Sequence, residues 1–147
     1  MHPYILLVHI LAATVWVGGH LILALAVLPQ ALRARSPEPI QRFERTYEPL
    51  GIGALLVQIL TGVELARQWL PDAAQWIAPE SAVGRAILAK FVLLALTALI
   101  AVHARKRIIT RLSEQTLRMM AVHILLVTAL AVLFVVVGVS FRTGIIF

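Results

Sequence analysis

The sequence predicts an all-α integral membrane protein, a four-helix up-down bundle forming one domain over residues 1–147. Composition is the first observation behind this reading. Of 147 residues, 61% are hydrophobic and only 14% are charged, with a mean hydropathy of +0.92. A soluble domain carries about 25% charged residues. The second observation is four apolar stretches, each approaching the ~20 residues needed to cross a bilayer. The third is an alternation of basic and acidic segments between them. Intrinsic disorder, a collagen-like repeat and a secreted disulfide scaffold are excluded by the same composition. The absence of cysteine removes thiolate metal sites, disulfides and thiol nucleophiles. The formal charge of +6 would raise nucleic acid as a partner of a soluble protein. In a membrane protein it is what cytoplasmic loops require, so the expected partner is the lipid bilayer and not nucleic acid.

The first span runs from about residue 4 to 28 and stops at Pro29. It lacks a basic n-region, and its apolar run exceeds the ~7–15 residues of a signal-peptide h-region, so it reads as a retained helix. In the first loop, Ser36-Pro37 reads as an N-cap followed by proline at the first helical position. The stretch through Glu48 then forms a short amphipathic helix. The second span covers about 50–70, the third about 82–104 and the fourth about 120–141. These runs are too long for strands and do not alternate with period two.

Charge orients the spans. The first loop carries Arg33, Arg35, Arg42 and Arg45, and the third carries Arg105, Lys106, Arg107, Arg111 and Arg118. The second loop, Pro71 to Ser81, has no Lys or Arg but contains Asp72 and Glu80. The positive-inside rule puts the first and third loops in the cytoplasm, with the second loop and both termini facing outward. Arg67, Arg85 and Arg142 are the minority near the outer ends. Trp69 and Trp76 flank the outer boundary. The third loop reads as a basic helical extension attracted to anionic headgroups. A P-loop, a GxGxxG signature, a HExxH motif and a nucleophile-elbow serine are all absent, and no catalytic residue is assigned.

Ionisable residues inside a span are costly, which makes each a functional candidate. Helical rise puts His9 roughly 8 Å from the outer end of span one and His20 about 24 Å in. His123 lies roughly 5 Å from the inner end of span four. His9, Trp16 and His20 share one stripe, and His123, Leu130, Phe134 and Phe141 form another. His20 and His123, at matched depth on spans expected to be neighbours, make the sharpest constellation, with Met119 one turn from His123. Imidazole with thioether suits Cu(I), and paired imidazoles also suit haem iron. The competing reading is two histidines bonded to backbone or to Thr128. His103 faces away from Lys90 and neighbours Arg105, and reads either as a ligand or as a headgroup residue. In the outer layer Glu64 lies roughly 9 Å deep, near His9 and Lys90. Glu64 and Lys90 either pair as ions or join His9 in a metal, proton or ion path. Met1-His2 is a further amine-imidazole option for Cu(II). Gly18-Gly19, Gly51, Gly53 and Gly62 permit close helix approach, and Gly18-Gly19 would equally make room for a bulky cofactor.

The run from His9 to His20, HILAATVWVGGH, resembles the first-helix signature of the copper-resistance protein D (CopD) family, with Pro29 matching the proline that follows it. Thr61-Gly62, Lys90, His123 and the ending Gly138 to Gly144 are similar to small stand-alone members. The resemblance implies an inner-membrane protein of copper uptake, handling or resistance. Its metal ligands would be His9, His20, His123, Met119 and His103, with a periplasmic copper carrier and a homo-oligomer as partners. The pattern also resembles haem-binding membrane protoporphyrinogen oxidases and b-type four-helix cytochromes, which implies haem b on His20 and His123. The fourth span lacks the polar opening of that oxidase family. The third reading is an assembly subunit whose polar residues only pack helices.

Overall fold

A computed structural model describes residues 2–107, 113 and 115–144, without the side chains of Arg107 and Arg142. Met1 and Arg111 lie outside the described residues. Four helical runs are long and apolar enough to cross a membrane. The first is Pro3–Ala34, built from α1 (Pro3–Ile22), a π-helical turn (Leu23–Val27) and α2 (Leu28–Ala34). It does not stop at Pro29. Proline in a helix removes a hydrogen bond and crowds the carbonyl four residues back. Here the backbone widens first: the Leu28 N–H donates to the Leu23 carbonyl, five residues back. That wider turn lets the helix carry through the proline. The run ends at Arg35, a non-glycine residue in the left-handed region at φ 48°.

The second run, α3, is one unbroken helix over Glu38–Trp69. The expected amphipathic helix and the expected second span are therefore continuous, through Pro49. Pro37 takes the N-cap backbone position, one residue later than expected. Ser36 still caps, its Oγ accepting the Glu38 N–H at 3.3 Å. A short turn, Ala73–Trp76, follows, with the Asp72 carboxylate accepting the Ala74 N–H at 3.0 Å. The Trp76 indole N–H donates to the Leu70 carbonyl at 2.8 Å. Helix α4 is Ala82–Arg107 and α5 is Leu117–Thr143, the latter closed by Gly144 at φ 64°. The helical extension expected into the third loop thus exists as far as Arg107.

The packing order is α3–α1–α5–α4. Contacts show each adjacent pair to be antiparallel. On α1 and α3, His9 meets Thr61 while Trp16 meets Tyr47. On α1 and α5, Trp16 meets Phe134 while His20 meets Thr128. On α4 and α5, Lys90 meets Phe141 while His103 meets His123. Two apolar clusters hold the centre. One joins Leu23, Leu28 and Ala31 to Ile40 of α3 and Leu117, Met120 and Ile124 of α5. The other joins Trp16 and Val17 to Ala131 and Phe134. Outward positions are apolar too: mid-helix Leu25 and Leu60 are 74% and 72% exposed. Exposed apolar surface spread over four long helices fits lipid as the surrounding solvent.

Candidate functional site

The polar residues fall into three layers. In the first, the His9 imidazole Nδ1 lies 2.8 Å from Thr61 Oγ1. A hydroxyl has one hydrogen, and Thr61 donates it to the Val57 carbonyl at 2.7 Å. Thr61 Oγ1 thus joins the His9 ring to the backbone of α3. Gly62 makes this approach feasible, because a Cβ there would stand 3.2 Å from His9 Cε1.

Glu64 and Lys90 do not form an ion pair. Glu64 accepts from Gln68 Nε2 at 3.0 Å, whereas Lys90 Nζ sits 5.2 Å from the centre of the Phe141 ring. The cause is the packing order. Lys90 is on α4, which packs on α5, while Glu64 is on α3, which packs on α1. Depth along the sequence matched the two residues, but their helices make their main contacts with different partners. The ammonium gains the ring's negative face instead.

The middle layer is aromatic. Trp16 stands edge-on to His20 at 5.0 Å, and His20 to Tyr47 at 6.2 Å. The Tyr47 hydroxyl donates to the Trp16 carbonyl at 2.9 Å, with the Val15 carbonyl at 3.1 Å. Tyr47 fills the space that Gly19 frees: a Cβ on Gly19 would fall 2.0 Å from Tyr47 Cζ. The room expected at Gly18-Gly19 for a cofactor is thus taken at Gly19 by a tyrosine ring. Gly51 gives way to the same ring. His20 Nδ1 is buried without a hydrogen-bond partner. Thr128 Oγ1 reaches the His20 backbone carbonyl at 3.2 Å, so α5 is tied to the main chain of this residue and not to its ring.

In the third layer, near the basic loops, the rings of His103 and His123 stack 5.3 Å apart and 6° from parallel. His123 Nδ1–H donates to the Met119 carbonyl at 2.9 Å. A carbonyl can only accept, so neutral His123 carries its lone pair on Nε2. Met119 contributes this carbonyl, and its own side chain is 52% exposed. Leu99, Ile100, Val102 and Lys106 join the two histidines around an open groove of about 510 Å³.

The structure therefore pairs His123 with His103, and no ring contact joins His123 to His20. By helical angle His103 faces away from Lys90 on their common helix. Both residues nevertheless meet α5, thirteen residues apart, at opposite ends of the α4–α5 contact. Sequence reasoning missed Tyr47 altogether. Its signal was a glycine on α1, Gly19, that needed a bulky neighbour. Among the described residues, no three of His, Asp and Glu gather as a metal-ligand group. No family model, curated protein or solved structure matches the chain.

Proposed function

We propose that this chain is a multi-pass, up-down membrane protein that handles copper, taking Cu(I) as its cargo between His103 and His123. The observation that carries the reading is the His103–His123 stack with the Nδ1–H of His123 anchored on the Met119 carbonyl. Fixing one ring nitrogen as donor turns the other into a ligand, which is how proteins orient metal-binding imidazoles. An ion held at about 2 Å by each nitrogen needs the two nitrogens about 4 Å apart, so the stacked rings, 5.3 Å between centres, would have to turn to aim both lone pairs at it. Two imidazoles suffice for a soft monovalent ion, and the thioether of Met119 on the same turn is a third donor of matching softness. The resemblance of His9 to His20 to the CopD signature supports copper over other metals.

The basic loops orient the protein with this pair at the cytoplasmic end of a bacterial inner membrane and both termini in the periplasm. His9 is the ligand of the opposite layer and the point at which a periplasmic carrier would deliver or collect the ion. Haem b on His20 and His123 is the weaker alternative. The Tyr47 ring beside His20 fills volume that a porphyrin would need.

The test is Cu(I) competition against a chromophoric chelator, with an absorption spectrum of the same detergent-purified sample. One tightly bound Cu(I) per chain and no Soret band are expected. His103→Ala and His123→Ala should each weaken binding by about tenfold or more, since losing even a hydrogen-bond partner of a ligand costs that much. His20→Ala should leave it unchanged. Unaltered copper binding in the His103→Ala/His123→Ala double variant, or an intense Soret band, overturns the proposal.

A further inference from the structure

Lys90 carries a charge that the fold leaves without a counter-charge. It follows Ala82, the first residue of α4, by about 12 Å of helix, well inside the span. Its ammonium lies over the Phe141 ring. Among the described residues, no carboxylate comes within ion-pair distance of it and no acceptor takes its N–H groups. Glu64, the carboxylate at a similar depth, is engaged by Gln68 on its own helix. A ring face offsets part of an ammonium's charge but gives its three N–H groups no acceptor. Inside a membrane-spanning bundle such a charge is costly until an opposite charge meets it.

The three other helices bring space and donors to this level. On α5, a Cβ at Gly138 would stand 3.5 Å from Lys90 Nζ, so the missing side chain leaves the flank of the ammonium open. On α1, the His9 ring is close enough for the Lys90 charge to act on it. On α3, Gln58 lies one turn outward of Ala54, and Gly138 lies one turn outward of Phe134; Ala54 and Phe134 both pack in the Trp16 cluster. Gln58 and Gly138 therefore share the level between Trp16 and His9. The spacing of Gln58 from Ala54 and Leu55 also puts it on the interior face of α3. Gln58 Oε1 is buried there without a hydrogen-bond partner. A buried polar group left unpaired marks a place that something else completes. Turned about its last bond, the same amide offers N–H groups in place of the oxygen.

We infer that this layer is a binding site for one small monovalent anion, a halide or a carboxylate. The Lys90 ammonium holds it, with the Gln58 amide and, in the metal-free chain, the His9 imidazole as further N–H donors. The unmatched positive charge sets the sign of the ligand. One negative charge neutralises the layer, whereas a divalent anion would leave it charged again, so sulfate does not substitute. The site is independent of copper.

Equilibrium dialysis of the metal-free, detergent-purified chain against labelled chloride and, separately, labelled formate, in a sulfate background, tests this. About one anion per chain should be retained from at least one of the two, and the one retained tells halide from carboxylate. Lys90→Met should weaken retention about tenfold or more, the scale of one hydrogen bond to a charged group. Lys90→Arg, which keeps the charge, should retain more than Lys90→Met. Gly138→Leu fills the space beside an intact ammonium and should weaken retention too, which serves if Lys90→Met does not fold. Gln58→Leu should weaken it by a smaller factor. Arg67→Gln, a cation on α3 towards the same end, should have no effect. Retention of neither anion, or retention in Lys90→Met equal to that of the unaltered chain, overturns the site. Loss in Lys90→Met with full retention in both Gly138→Leu and Gln58→Leu overturns it as well, because the anion would then sit on the ammonium from outside the bundle.

Discussion

Among the glycines of the described residues, Gly19 makes the closest fit, against Tyr47. The tyrosine ring occupies the place of a Cβ, and its hydroxyl covers carbonyls of α1 one turn earlier. A close-packed interior cannot absorb an atom 2.0 Å from another, so something must move. Gly19→Ala should cost about 1–3 kcal/mol or more through overpacking. Tyr47→Leu in the same chain should return part of that loss, because the clash disappears. Thermal unfolding in detergent of both singles and the double checks this. Additive losses would mean that the ring lies elsewhere. His123 follows a similar logic at a different atom. Its Nδ1 is committed as a donor to the Met119 carbonyl, so the neutral ring presents Nε2 as a base.

At the scale of the helix, adjacency decides which polar groups meet. α1 and α5 form the middle of the row, with α3 and α4 on the flanks. Lys90 meets Phe141 for this reason, and Glu64 meets Gln68. Glu64→Gln and Lys90→Met should therefore act additively on thermal stability, within about 0.3–0.5 kcal/mol, as uncoupled sites do. An ion pair would instead show each single substitution costing more than the double, since a lone buried charge is left behind. The π turn ahead of Pro29 is another property of the element. Hydropathy ends the first span at the proline, yet five residues of widened backbone let the same helix continue to Ala34.

At the scale of the whole molecule, α3 also reaches beyond its neighbour in the row, to α4 at one end and to α5 at the other. Arg105 of α4 pairs with Glu48 of α3 near the basic loops, and Trp69 of α3 lies against Phe141 of α5 at the other end. The basic residues gather with the connection from α2 to α3 and the end of α4, which sets a charge difference between the two ends. A reporter fused after Phe147 should accordingly read as periplasmic, and one inserted at Arg35 as cytoplasmic. The reverse result would overturn the orientation while leaving the pairings within the row intact.

The helices were legible in the sequence because length and hydropathy are local sums: ~20 apolar residues make a span wherever their neighbours lie. Depth was not: His20 and His123, expected at one level, fall in different layers, His20 beside Trp16 and Tyr47 and His123 beside His103. His9, His20, Lys90 and His123 are inside helices as expected. Their partners were not legible. Which face meets which helix depends on how Gly19, Gly51 and Gly62 let α1 and α3 close around Tyr47 and His9. It depends equally on α4 settling against α5, which brings His103 to His123 and Lys90 to Phe141. Those choices are made by side-chain volumes distant in sequence. The chain by itself determined four apolar helices and a charge asymmetry between their loops. Only the tertiary structure decided which imidazoles stand together, because contact is a property of packed surfaces and not of spacing along one helix.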